Sequence, residues 1–103
     1  MLQEFTDVTL REAINAGPLL VELYSPNCVP CKCMQPVLEQ VAIDMDGYVT
    51  VGRINTIEYT EFVSQFPVST LPTFLLFRKG NAHECLSGTQ SLDTLIEKCT
   101  ELL

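Results

Sequence analysis

Residues 19–36 read LLVELYSPNCVPCKCMQP, with three of the chain's five cysteines, Cys28, Cys31 and Cys33, inside one turn and the residues that follow it. The segment 19–25 is a compact apolar run ending in turn residues, the pattern of a buried strand. From about Cys28 to Gly47 the pattern becomes helical. Val37, Leu38, Val41, Ala42 and Met45 recur at helical spacing, and Pro36 should kink the element. A buried strand running straight into a helix is the first half of a parallel β-α-β unit, because a parallel partner strand can only be reached by a crossover.

The remaining segments extend that unit. TLRE at 9–12 has the spacing of a capping box and opens a short helix closed by Gly17 and Pro18. YVTVGRIN (48–55) alternates as a strand, and a helix around Glu58–Gln65 follows. TFLLFR (73–78) and AHECLS (82–87), joined by KGN, form a hairpin. The last segment, SLDTLIEKCTELL, puts Leu92, Leu95, Ile96, Cys99, Leu102 and Leu103 on one helical face. Parallel early strands and a late antiparallel hairpin add up to a mixed sheet with helices on both faces, an α/β fold.

A chain of 103 residues supports a single domain over 1–103, and 47% hydrophobic with 18% charged residues describes a globular protein. Six basic side chains against thirteen acidic give a net charge of −7, which argues against nucleic acid and anionic membranes as partners. No run approaches the roughly 18 consecutive apolar residues of a membrane span. The N-terminus lacks a basic head followed by an apolar run, so a cytoplasmic location is expected. In a reducing compartment, five cysteines are read as reactive, metal-bound or buried free thiols rather than a disulfide framework.

Cys28 and Cys31 form a C-x-x-C at a strand-to-helix junction. At the first turn, unpaired N–H groups and the positive end of the helix dipole stabilise a thiolate on Cys28. Cys31 lies about 60° around the helix, within disulfide reach. Pro30 has no N–H to lose in that turn and stiffens it. Lowering a thiol pKa from ~8.5 to ~7 raises its ionised fraction at neutral pH ~15-fold. Falling intrinsic nucleophilicity returns roughly fivefold of that. Pairing therefore matters more than ionisation. Cys28, at the exposed end, is the nucleophile, and Cys31, deeper in the helix, is the resolving thiol.

These residues resemble the thioredoxin family. CVPCK is similar to that family's Cys-Gly-Pro-Cys-Lys signature, and Pro36 falls where the family has its kinking proline. TLPTF (70–74) matches the segment whose cis-proline faces the disulfide, and Gly80 and Gly88 fall where the family keeps glycines. The resemblance spans nearly the whole chain. It implies a central mixed five-stranded sheet flanked by four helices and a thiol–disulfide oxidoreductase that reduces protein disulfides. It implies disulfide-containing client proteins, recycling by a flavin-dependent thioredoxin reductase, a monomer, and no bound cofactor or metal. It places the cis-proline role on Pro72 and a client-binding surface on Tyr24, Asn27, Val29, Pro30, Leu71 and Gly88. Glu22 stands where the family commonly has an aspartate. A carboxylate inside an apolar strand has a raised pKa, as a proton acceptor for Cys31 requires. Arg53 falls where the family often has a lysine, and is either a moderator of that acid or a surface charge.

Three features depart from the family pattern. Asn27 and Tyr24 stand where the family usually has aromatic residues, often Trp, and the chain contains no Trp. Val29 replaces the usual glycine and adds bulk beside Cys28. Both favour an alternative reading, a partner-specific binding or redox-adaptor module with a narrow client range. Cys33 makes C-x-x-C-x-C, which invites a metal or cluster. Residues two apart on a helix point about 200° from one another, so Cys33 should face away from Cys31. It is expected to be a core or semi-buried thiol, with a secondary redox site or a metal ligand as alternatives. Cys99 is expected in the core, Cys85 partly exposed on a strand, and His83 solvated. Glu58, Glu61, Glu97 and Glu101 read as a solvated face.

Overall fold

A computed structural model describes residues 1–103. In chain order the elements are β1 (Gln3–Phe5), α1 (Asp7–Ala16), β2 (Leu19–Tyr24), α2 (Val29–Asp44), β3 (Thr50–Asn55), α3 (Thr60–Val63), β4 (Thr73–Arg78), β5 (Asn81–Ser87) and α4 (Leu92–Thr100). The strands make one sheet in the order β1-β3-β2-β4-β5. β3 pairs in parallel with β1 and β2, whereas β4 pairs antiparallel with β2 and β5. The mixed five-stranded sheet with four helices is therefore present, and β2 is the strand at which parallel pairing gives way to antiparallel.

All six residues of β2 are buried, because both faces of this central strand are covered. Leu20 packs with Met34, Leu38 and Val41 of α2 and Leu95 and Cys99 of α4. Leu19, Val21 and Leu23 pack on the other face with Leu10 of α1 and Val63 of α3. Strand alternation thus assigns Leu20, Glu22 and Tyr24 to the face that carries α2. Burying a side chain such as Leu38 completely is worth about 1.5–3 kcal/mol, and this layer supplies most of the driving force for seating α2 on the sheet.

The structure revises several boundaries. β1 has no signature in the residue pattern, because three residues are too few to show alternation; it pairs Gln3, Glu4 and Phe5 with Gly52, Arg53 and Ile54. The box at the start of α1 lies one turn earlier than TLRE suggests. Thr6 is the N-cap, its Oγ1 accepting from Thr9 N–H at 3.1 Å while Thr9 Oγ1 accepts from Thr6 N–H at 2.8 Å. Thr6 has the extended backbone a cap needs, whereas Thr9 is already helical.

α3 is shorter than Glu58–Gln65, because the Asn55 side chain accepts from the N–H groups of Ile57 and Glu58 and draws them into a turn. β3 begins at Thr50, with Tyr48 and Val49 bonded back to the Met45 carbonyl. Leu103 leaves the buried face of the last helix and is 62% exposed. α4 ends at Thr100, and Leu102 and Leu103 bond three residues back, which tightens the turn and breaks the helical period.

Candidate active site

β2 delivers its last residue, Tyr24, to a tight turn in which Cys28 N–H donates to the Ser25 carbonyl at 3.2 Å. Cys28 has extended backbone angles and is the N-cap of α2, and its Sγ accepts from Cys31 N–H at 3.2 Å. Pro30 lies in the first helical turn, where no N–H is required. Cys28 and Cys31 are joined as a disulfide with their Cα atoms 5.2 Å apart, inside the usual range. The two sulfur-bearing residues are not equivalent. Cys28 is half-buried, whereas Cys31 is only 2% exposed, one helical turn deeper and in line with buried Met34 and Leu38. Asn27, Val29 and Pro30 surround Cys28 on the outside, all exposed.

Cys33 does not lie in the core. It is exposed, against the expectation of a core or semi-buried thiol. The buried ridge of α2 runs through Cys31, Met34, Leu38, Val41 and Ala42, and a rotation of about 200° from Cys31 carries Cys33 to the solvent side. Cys99 is in the core, where burial pushes its thiol up to about 12. Cys85 and His83 are exposed on β5. His83, Glu84 and Glu101 offer ligand atoms within 4.8 Å of one another, but Lys98 Nζ already pairs with Glu84 at 2.9 Å and Glu101 at 3.9 Å.

A second loop reaches the same end of the sheet. Strand pairing sets Tyr24 beside Asn55, Leu23 beside Thr73, and Thr73 beside Ser87. The Leu71–Pro72 peptide bond is cis, Pro72 is buried and Leu71 half-buried. Thr73 Oγ1 donates to the Thr70 carbonyl at 2.6 Å, and Gly88 N–H donates to the Pro72 carbonyl at 2.8 Å. Gly88 has φ +83°, a conformation that favours glycine, so this tie depends on the missing side chain.

Two residues before Tyr24, on the face of β2 that carries α2, lies the buried acid. Glu22 is 0% exposed, and neither carboxylate oxygen has a hydrogen-bond partner. Burial pushes its carboxyl up from 4.5 to about 7; the positive charge of Arg53 opposes the rise and the negative charge of Glu4 adds to it. Arg53 is no free surface charge. Its side chain is 16% exposed, its guanidinium lies 3.6 Å from the Tyr24 ring centroid, and its Nε sits 3.2 Å from Glu4 Oε1. The contact with Glu4 is an ion pair, and Nε–H has no hydrogen-bond partner. Tyr24 O–H donates to the other oxygen, Glu4 Oε2, at 2.5 Å. A cavity of about 140 Å³ opens where Tyr24, Cys31 and Arg53 meet, also lined by Lys32 and Gln35.

Residue pattern gives no sign of Glu4 as a site residue, because it gives none of β1. Leu2, Gln3, Glu4 and Phe5 run apolar, polar, polar, apolar, so no strand alternation marks the segment.

A family model described as Thioredoxin matches residues 2–101. The chain belongs to the thioredoxin family. It is 35% identical over 99 residues to the thioredoxin of Alicyclobacillus acidocaldarius, covering 95% of this chain and 94% of that one. It is also 35% identical over 96 residues to a thioredoxin-like protein of Synechocystis, covering 93% and 91%. A crystal structure of chloroplastic thioredoxin z superposes with a TM-score of 0.87 at 25% identity, over 98% of this chain and 93% of that one. Membership of the thioredoxin family and the bonded Cys28–Cys31 pair support thiol–disulfide oxidoreductase activity, with disulfide-containing proteins as clients. No helix of this thioredoxin-family chain is long and apolar enough to cross a membrane.

Proposed function

We propose that the protein reduces protein disulfides through the Cys28/Cys31 dithiol. The observation that carries this reading is the asymmetry of the pair: one half-buried sulfur at the N-cap of α2, and a second buried one turn deeper. In the reduced protein, the Cys28 thiolate attacks one sulfur of a client disulfide, and the first client thiolate leaves as a mixed disulfide forms. The Cys31 thiol gives its proton to the Glu22 carboxylate. The Cys31 thiolate then attacks Cys28 Sγ, expelling the second client thiolate. Two electrons pass to the client, and the proton held by Glu22 is available to a departing thiolate. A carboxyl near 7 suits this exchange, since about half is ionised at neutral pH.

The client lies across the exposed turn at Asn27, Val29 and Pro30 and the loop at Leu71, Pro72 and Gly88, with Tyr24 forming the floor. A single domain over 1–103, acting as a cytoplasmic monomer without a bound cofactor and recycled by a flavin-dependent thioredoxin reductase, completes the reading.

A second reading has support in one observation. Tyr24 is 7% exposed and engaged by Arg53 and Glu4, so it offers no exposed aromatic platform, and 66%-exposed Val29 supplies apolar surface instead. That surface favours a narrow set of clients. Both readings are tested with purified protein. Pre-reduced protein should reduce several unrelated disulfide-bonded proteins, and Cys31→Ser should stop at a mixed disulfide on Cys28 that added dithiol releases. Turnover of one client class alone selects the narrow reading, and failure to form any mixed disulfide overturns both.

A further inference from the structure

The parallel pairings place Glu4, Arg53 and Glu22 in one row across three adjacent strands: Glu4 faces Arg53 between β1 and β3, and Arg53 faces Glu22 between β3 and β2. Directly paired residues on neighbouring strands share a face, and this face is the one under α2, where Val51 and Leu20 lie two residues before Arg53 and Glu22. One guanidinium thus stands between two carboxylates. The contest is settled in favour of Glu4. Arg53 Nε lies 3.2 Å from Glu4, while both Glu22 oxygens are without a hydrogen-bond partner. Glu4 also takes the Tyr24 hydroxyl on its second oxygen, and Tyr24 lays its ring against the guanidinium at 3.6 Å.

We propose that Glu4 is a positioning residue for the active-site proton transfer: its two carboxylate oxygens hold Arg53 and Tyr24 in a bracket that keeps the guanidinium from pairing with Glu22. The inference rests on the reading of Glu22 as proton acceptor. Were the bracket absent, Arg53 could turn to the buried carboxylate one strand away, lock it in the ionised form and weaken it as a base. In the sheet, Glu22 shares its row with Arg53 on β3 and Glu4 on β1, Tyr24 follows on the same face of β2, and its β4 neighbour Phe74 is apolar; from α2, packed on this face, Cys31 and Lys32 line the small cavity that Tyr24 and Arg53 also line. Glu4 and Arg53 are the two whose charges act on Glu22, in opposite directions.

Both consequences of removing the Glu4 charge have the same sign. A carboxylate two strand spacings away, about 10 Å, no longer repels the Glu22 anion, and the freed guanidinium attracts it. The test is a carboxyl NMR titration of Glu22 in the oxidised protein, where Cys28 and Cys31 do not titrate, beside the pH profile of client release from the mixed disulfide. In Glu4→Gln the Glu22 midpoint should fall by about half a pH unit, and the release profile should move with it. Glu4→Asp should recover part of the difference, and Tyr24→Phe should give a smaller fall of the same sign. The Glu4 side chain is 57% exposed, so these variants should fold. An unmoved or raised midpoint in Glu4→Gln overturns the proposal. A midpoint that falls while the release profile stays fixed removes Glu22 from the proton transfer and overturns the role proposed for Glu4 with it. An unmoved midpoint with slow release in Glu22→Gln removes only the positioning role.

Discussion

Glu22 and Arg53 face each other across the parallel β2–β3 pair, yet neither oxygen of the Glu22 carboxylate has a hydrogen-bond partner. A buried acid one strand from a guanidinium would ordinarily pair with it. Here the cation is held by Glu4 and Tyr24, and the acid remains a weak one in an apolar layer. Stability is given up at this position and a base titrating near neutrality is retained.

The cost of that base should be measurable. Glu22 titrates at about 7 in the folded protein against an ordinary 4.5, so the native state holds its proton while the unfolded state has lost it. Stability tied to this proton is complete below about 4.5 and is lost as pH rises to about 7. Relative to the native protein, Glu22→Gln should be about equally stable near pH 4 and more stable by about 3 kcal/mol near pH 8. Denaturant unfolding of both proteins at the two pH values reads this directly. The same variant should slow client release.

Thiol accessibility should divide the cysteines sharply. In the oxidised protein, Cys33 and Cys85 are exposed and Cys99 is fully buried with its thiol pushed up to about 12. Iodoacetamide should label Cys33 and Cys85 in the native state and Cys99 only after unfolding, as peptide mass mapping would show. Cys33→Ser should leave client reduction within about twofold of the parent, because its side chain points away from the buried ridge that carries Cys31. A larger loss would give Cys33 a part in the chemistry.

Gly52 on β3 packs tightly against β1. A Cβ there would strike the Phe5 ring and lie 2.8 Å from the Gln3 carbonyl oxygen. The carbonyl is backbone and cannot rotate aside, so Gly52→Ala should destabilise the protein by about 1–3 kcal/mol. It should also loosen β1, visible as faster amide exchange at residues 3–5. Because β1 carries Glu4, Glu22 should titrate lower in this variant too.

The N-cap of α1 is a simpler case. Thr6→Ala removes the acceptor for Thr9 N–H and should cost about 1 kcal/mol in thermal or denaturant unfolding. A cost at Thr9→Ala larger than at Thr6→Ala would restore the later start of the helix.

Local patterns in the chain determined the disulfide turn. A strand ending at Tyr24, a helix opening at Val29 and a cysteine spacing of i, i+3 depend only on neighbours in sequence, and helix geometry alone separates Cys31 from Cys33. The resemblance added the cis bond at Pro72 and the strand count. Tertiary structure decided the rest. A three-residue strand has no period of its own, so β1 exists only by pairing with β3, and with it Glu4 enters the row that ends at Glu22. Whether Cys33 is covered, and which carboxylate holds Arg53, are questions of what lies opposite a side chain in space. Periodicity assigns a face to each residue; strand register and helix docking choose what that face meets.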